Sequence, residues 1–132
     1  YFKDEASPQH NLVSQKLADL LEQDYQFFVS PLVLDEFLHG ARRTFLLKAQ
    51  DFYISLATAL KNILDIPTMM VVNPPTDISD QKQVVILMEK YSLRPRDAYH
   101  LLTMQSNDID AFATFDTDFR RVFSAKIIKK VL

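Results

Sequence analysis

Apolar positions along this 132-residue chain switch between a helical repeat and short β-type runs. Ser7-Pro8 offers a capping hydroxyl followed by a proline suited to a first helical position. Leu12, Val13, Leu17, Leu20 and Leu21 then recur at helical spacing and predict an amphipathic helix to about Gln23. Tyr25 to Val29 reads YQFFV, an aromatic and β-branched run that predicts a strand. Ser30-Pro31 repeats the capping signal and opens a helix over roughly Leu32 to Gly40. Ala41 to Leu64 has few breakers and predicts one or two helices, the second over about Lys48 to Asn62.

The second half keeps the same alternation. Thr68 to Val72 is strand-like and Asn73-Pro74-Pro75 stops it. Asp80 to Tyr91 carries Val84, Val85, Leu87 and Met88 on one helical stripe, and Pro95 begins another helix ending near Asn107. Ile109 to Phe115 predicts a strand, Asp118 to Phe123 a helical turn, and Ile127 to Leu132 a last short strand. Strands alternate with helices and no hairpin signal intervenes. The fold class is therefore α/β with a mostly parallel sheet. No repeat, low-complexity stretch or linker breaks the pattern, so residues 1–132 are expected to form a single domain.

Composition narrows the chemistry. Apolar residues make up 48% and charged residues 24%, ordinary values for a chain that buries one core. The single Gly leaves no GxGxxG and no GxxxxGK loop to cradle phosphates. The absence of Cys removes disulfides and thiolate metal sites, and fits a reducing, cytoplasmic setting. No apolar run is long enough for a membrane span. The net charge of −2 argues against a dedicated DNA-binding module. Its distribution is uneven: residues 1–40 carry net −5, and residues 119–132 carry Arg120, Arg121, Lys126, Lys129 and Lys130 without an acid.

Against that background the acids become the candidates. At 100° per residue, Glu36 projects about 40° from Leu32, on the stripe due to face the core. A carboxylate there needs a partner or a function, because burying it unpaired costs several kcal/mol; the plain alternative is a stripe edge where it reaches water, Arg42 or Arg43. Asp97 stands at the third helical position if Arg94 is the cap, where the helix dipole favours an acid. It also shares a face with Leu101 and Met104. Asp116 and Asp118 follow a strand directly, and ligand sites in open parallel sheets lie at strand carboxyl ends; either could instead cap the next turn. His39 and His100 have no zinc-site spacing, with His100 expected on the helix surface or behind an acid, and His10 towards solvent. Acids clustered without Cys or paired His favour hard cations, Mg²⁺ or Mn²⁺. Such ions activate water and neutralise phosphate charge, which makes phosphodiester hydrolysis the natural reaction.

Three segments, VSPLVLDEFLHG (Val29–Gly40), RPRDAYHLLTM (Arg94–Met104) and DAFATFDTDFRRV (Asp110–Val122), resemble motif blocks of the PIN-domain family, in particular the VapC-type toxin ribonucleases. The resemblance runs through essentially the whole chain in order and spacing. It implies a three-layer α/β/α fold with a parallel five-stranded sheet in order 3-2-1-4-5, bound Mg²⁺ or Mn²⁺, and endonucleolytic cleavage of RNA. Position by position it implies Glu36, Asp97 and Asp116 as catalytic and metal-holding acids, with Thr114 and Asp118 in support. Arg42, Arg43, Arg96, Arg120 and Arg121 are candidates for steering RNA phosphate. A toxin of this type implies an antitoxin protein as partner and a homodimer.

Two departures from the family pattern stand out. The family's first acid ends a first, central strand that would precede the equivalent of Tyr1, and neither Asp4 nor Glu5 follows a strand. The expectation is a natural N-terminal segment of about ten residues supplying that strand and acid, since its neighbours would otherwise keep unpaired backbone groups costing about 1–3 kcal/mol each. Without it the chain is expected to be catalytically incomplete, which leaves open an RNA- or protein-binding module, or an RNA-processing nuclease outside the toxin class. The second departure is Arg94, standing where Ser or Thr commonly caps the third-acid helix. Asp97 is then expected to share in the capping.

Overall fold

The structure, a computed structural model, describes residues 8–44 and 49–132. Ser7 and Lys48, which enter the helix readings above, lie outside the described residues. The chain divides into two compact units that part between Val71 and Val72.

In the first unit, helix α1 spans Pro8–Glu22, strand β1 Phe27–Val29, helix α2 Pro31–Thr44, helix α3 Ala49–Leu64 and strand β2 Met69–Val71. Asp24 in the left-handed region ends α1, with its N–H bonded to Leu21 O and that of Tyr25 to Leu20 O, each at 3.1 Å. Ser30 caps α2 as its sequence implies: its hydroxyl accepts the Val33 N–H at 3.3 Å, and Pro31 takes the first helical position. β1 and β2 pair in parallel, with Phe27 opposite Met69 and Val29 opposite Val71. Parallel partners need a crossover, and α2 with α3 provide it. α2 outruns its expected end at Gly40, because Gly costs a helix only about 1 kcal/mol and the next residue, Ala41, is fully buried.

In the second unit, helix α4 spans Ile78–Tyr91, helix α5 Pro95–Ser106, strand β3 Ala111–Phe112, helix α6 Arg120–Ser124 and strand β4 Lys129–Lys130. β3 and β4 are again parallel, Ala111 opposite Lys129 and Phe112 opposite Lys130. The core gathers Val84, Leu87 and Tyr91 from α4, Ala98, Leu101, Leu102 and Met104 from α5, and Phe119, Val122 and Ile128 beyond them. Val84, Leu87, Met88 and Tyr91 follow the i, i+3, i+4, i+7 stripe, which leaves Val85 about 100° off it and exposed rather than on the buried face as expected. Ser92, left-handed, closes α4, and the Leu93 N–H returns to Met88 O at 3.1 Å. Buried Leu93 pins the turn whose next residues open α5.

Among the described residues the strands form two separate parallel pairs, β1 with β2 and β3 with β4, in place of the expected five-stranded sheet, within an architecture rich in helix. The fold class is α/β with parallel strand pairing, as the alternation of elements predicts. Two strands are much shorter than their sequence suggests: Ile109 to Phe115 yields only Ala111–Phe112, and Ile127 to Leu132 only Lys129–Lys130. Among the described residues, no helix is long and apolar enough to cross a membrane.

Candidate metal centre

Asp97 owes its position to the start of α5. Arg94 precedes the helix in an extended conformation and Pro95 fixes the first turn. The Arg94 side chain makes no capping bond. Instead the Asp97 carboxylate reaches back and accepts the Arg94 backbone N–H, the half of a capping box that an acid at the third position can supply. Asp97 is half-buried, one and two turns before fully buried Leu101 and buried Met104 on the same helix.

Asp116 and Asp118 are held by a ladder of side-chain bonds with a period of two. Thr114 Oγ1 accepts the Asp116 N–H at 3.0 Å, and Asp116 Oδ1 accepts the Asp118 N–H at 2.8 Å. Each bond gives a backbone N–H of the loop, that of residue 116 or 118, a local partner. Phe119 then sinks into the core, packed edge-on against Phe112 with ring centroids 4.9 Å apart. The acidic loop is therefore fastened at its last residue by a buried ring.

These local constraints bring three acids together. Asp97, Asp116 and Asp118 each offer a carboxylate oxygen, and the three oxygens lie within 4.8 Å of one another. Burial first, then the charges of Asp116 and Asp118, raise the Asp97 carboxyl above its ordinary value of 3.8, against a smaller lowering by His100 and the Arg94 N–H. Three anions this close, two of them partly withdrawn from water, store repulsion that a cation would release. All-oxygen donors without thiolate or imidazole suit a hard divalent ion. The residues fit such a group.

The raised carboxyl has a stability consequence with a definite sign. Its folded value lies above its unfolded one, so ionisation disfavours the fold; stability is gained as pH falls through the folded value, and the gain is complete below the unfolded value. At neutral pH and without divalent ions, Asp97→Asn is thus expected to raise the melting temperature by a few degrees. The difference should shrink as the pH approaches the ordinary carboxylate range. A melting series over pH in EDTA checks this, and a variant less stable than the parent at neutral pH would contradict the repulsion.

The other sequence candidates are distributed as follows. Glu36 is half-buried on α2 of the first unit. Arg42 is exposed on the same helix, and the Arg43 side chain lies outside the described residues. Arg96 is exposed in the first turn of α5. Arg120 Nε donates to Thr117 O at 3.1 Å, and Arg121 donates to the Ser92 hydroxyl. Of the two expectations for His100, the place behind an acid holds: it is buried, on a helix covered on nearly all sides from Ala98 to Met104, and close enough to Asp97 to lower its carboxyl value. His10 is half-buried rather than facing solvent.

Sequence reasoning passed over one residue. Arg94 was read as a helix cap, yet its guanidinium pairs with Asp118, Nε to Oδ2 at 3.4 Å. The available signal was chemical: a cation stood at a position where Ser, Thr, Asp or Asn is favoured, beside an acidic loop.

A family model described as PIN domain matches residues 5–123, across both compact units, and no curated protein matches the chain.

Proposed function

Because this chain belongs to the PIN-domain family, whose members are nucleases that commonly depend on divalent metals, we propose that it is a Mg²⁺- or Mn²⁺-dependent endoribonuclease acting as the toxin of a VapC-type toxin–antitoxin pair. The observation that carries the nuclease reading is the convergence of Asp97, Asp116 and Asp118, with Asp97 held at the cost of a raised carboxyl value. The toxin role, the antitoxin partner, the homodimer and a cytoplasmic setting rest on the resemblance of the three motif blocks. The span of the family match over both units supports the reading of one PIN-like domain.

In this reading Asp97 and Asp116 hold the cation, and the family resemblance implies Glu36 of the first unit as a further acid. Thr114 and the Asp118 N–H keep Asp116 in place, and the Asp118 carboxylate offers the cation a further oxygen. A divalent ion bound there supplies an activated water and positive charge facing the phosphate. The protein's own contribution is orientation. The Asp118 N–H fixes one Asp116 oxygen, the Arg94 N–H fixes Asp97, and Phe119 anchors the loop from below. Three carboxylates alone would repel an RNA phosphate, so the substrate can approach only once their charge is balanced. Arg120 and Arg121, exposed beyond the acidic loop, are placed to meet the flanking phosphates.

Degradation of a structured RNA in Mn²⁺ by chains with and without an N-terminal segment supplying the family's first strand and acid, with EDTA as the control, tests the assignment. Internal cuts that vanish with EDTA are the expected result. RNA bound in a metal-dependent way but never cut would replace the nuclease with a binding module, and indifference of both binding and cutting to metal would end the metal-site reading altogether.

A further inference from the structure

Arg94 touches two of the three clustered acids by different means. Its backbone N–H is bonded to Asp97, and its guanidinium Nε lies 3.4 Å from Asp118 Oδ2. The backbone is fixed further, since its carbonyl accepts the Ala98 N–H at 2.9 Å and Pro95 follows. The side chain is 82% exposed, against 34% for that of Asp118. A backbone held in place therefore carries an exposed planar cation at the rim of an anionic cluster.

From this we propose that Arg94 is a resident counter-cation of the acidic cluster that yields Asp118 when the divalent ion binds and then takes an RNA phosphate. The inference rests on the metal-dependent nuclease reading above and deepens it. Before loading, the guanidinium offsets part of the repulsion among the three carboxylates. An exposed pair of this kind is screened and weak, so the arriving ion can displace it at little cost. Once its partner is engaged by the ion, the guanidinium stands beside the place where substrate charge must enter. Its planar fork matches two phosphate oxygens at once, which a lysine ammonium cannot do. Arg121 on the Ser92 hydroxyl and Arg120 on Thr117 O bring two more guanidinium groups to the same pair of loops. The path for RNA is thereby set along the Ser92–Asp97 and Asp116–Arg121 segments.

The experiment compares the parent chain with Arg94→Gln, Arg94→Lys and Asp116→Asn. Mn²⁺ affinity is read by calorimetry, and binding of a fluorescein-labelled single-stranded RNA in Ca²⁺ by anisotropy. Loss of the competing guanidinium in Arg94→Gln should tighten Mn²⁺ binding, by up to about fivefold for an exposed pair. The same variant should weaken RNA binding and lower the salt slope by about one phosphate contact. Arg94→Lys should return Mn²⁺ affinity towards the parent value while restoring RNA binding only in part. Unchanged or weaker Mn²⁺ binding in Arg94→Gln, or unchanged RNA binding, overturns the proposal. If Asp116→Asn weakens Mn²⁺ binding in those circumstances, Arg94 alone was misread. If Asp116→Asn also leaves Mn²⁺ binding intact, the metal site itself falls and this inference with it.

Discussion

Asp116→Asn is expected to abolish metal-dependent RNA cleavage while leaving the fold in place. The amide oxygen of Asn can still accept the Asp118 N–H, now bonded to Asp116 Oδ1 at 2.8 Å, and the Thr114 hydroxyl still accepts the backbone N–H of residue 116. The loop ladder therefore survives, the circular dichroism spectrum should stay close to that of the parent, and the melting temperature without metal should be no lower, since the repulsion with Asp97 is relieved. What disappears is one negative charge from a set whose oxygens lie within 4.8 Å of one another. Changes to groups that merely support a metal ligand already cost about 10–100-fold in affinity or activity, so loss of a ligand itself should cost more than about a hundredfold. Asp97→Asn should abolish cleavage as well, yet with a gain in metal-free stability. That pairing separates a functional carboxylate from a structural one, whose replacement would lower stability and leave activity to follow. Full cleavage by both variants would remove the catalytic assignment of these two residues.

The parts of this molecule that could be read from its sequence share a physical trait: the deciding interaction is local. Ser30-Pro31 announces α2 because both the capping hydroxyl and the fixed proline act within one turn. Thr114, Asp116 and Asp118 sit two residues apart, the spacing that side chain-to-backbone bonds require, so the acidic loop could be singled out before any fold was known. The apolar run Ile109–Phe115 overstates its strand, which holds only Ala111–Phe112. Gly40 misled as well, because burial of Ala41 outweighs the small local preference against continuing a helix.

What could not be read depends on contacts distant in sequence. His100 lies three residues after Asp97, and only the covering of α5 on nearly every side makes it a buried side chain rather than a surface one. Arg94 and Asp118 are far apart in the chain, and periodicity gives no sign that one would reach the other. The three-acid cluster itself was legible only in part. Each acid had a plain local explanation, namely capping for Asp97 and turn formation for Asp116. Both explanations hold in the structure, and the carboxylates converge all the same. Capping and clustering are not rival accounts, because the capping bond is what aims the Asp97 carboxylate.

The anchoring of the acidic loop leads to the largest expected effect on stability. Phe119 is only 1% exposed and follows Asp118 directly, with its ring edge-on to Phe112 and 6.2 Å from that of Phe123. Phe119→Ala should cost about 3–5 kcal/mol, the range for deleting a large buried ring and leaving its cavity. A fold stable by only about 5–15 kcal/mol would lose a large share of its margin. Urea denaturation measures the loss as a lower midpoint, and a cost below about 1 kcal/mol would contradict the burial. Position adds a second consequence that a core residue elsewhere would not share. Leu101→Ala removes a fully buried side chain one turn beyond Asp97 on a helix that retains its other core contacts, and should cost about 2–5 kcal/mol. Phe119→Ala releases the residue from which the Asp118 end of the loop hangs. At equal residual stability, then, the Phe119 variant should bind Mn²⁺ more weakly than the Leu101 variant. Phe119→Leu, which refills much of the cavity, should recover most of both losses. Equal metal affinity in the Phe119→Ala and Leu101→Ala proteins, compared under conditions where both remain folded, would show that the loop keeps its acids together without the ring beneath it.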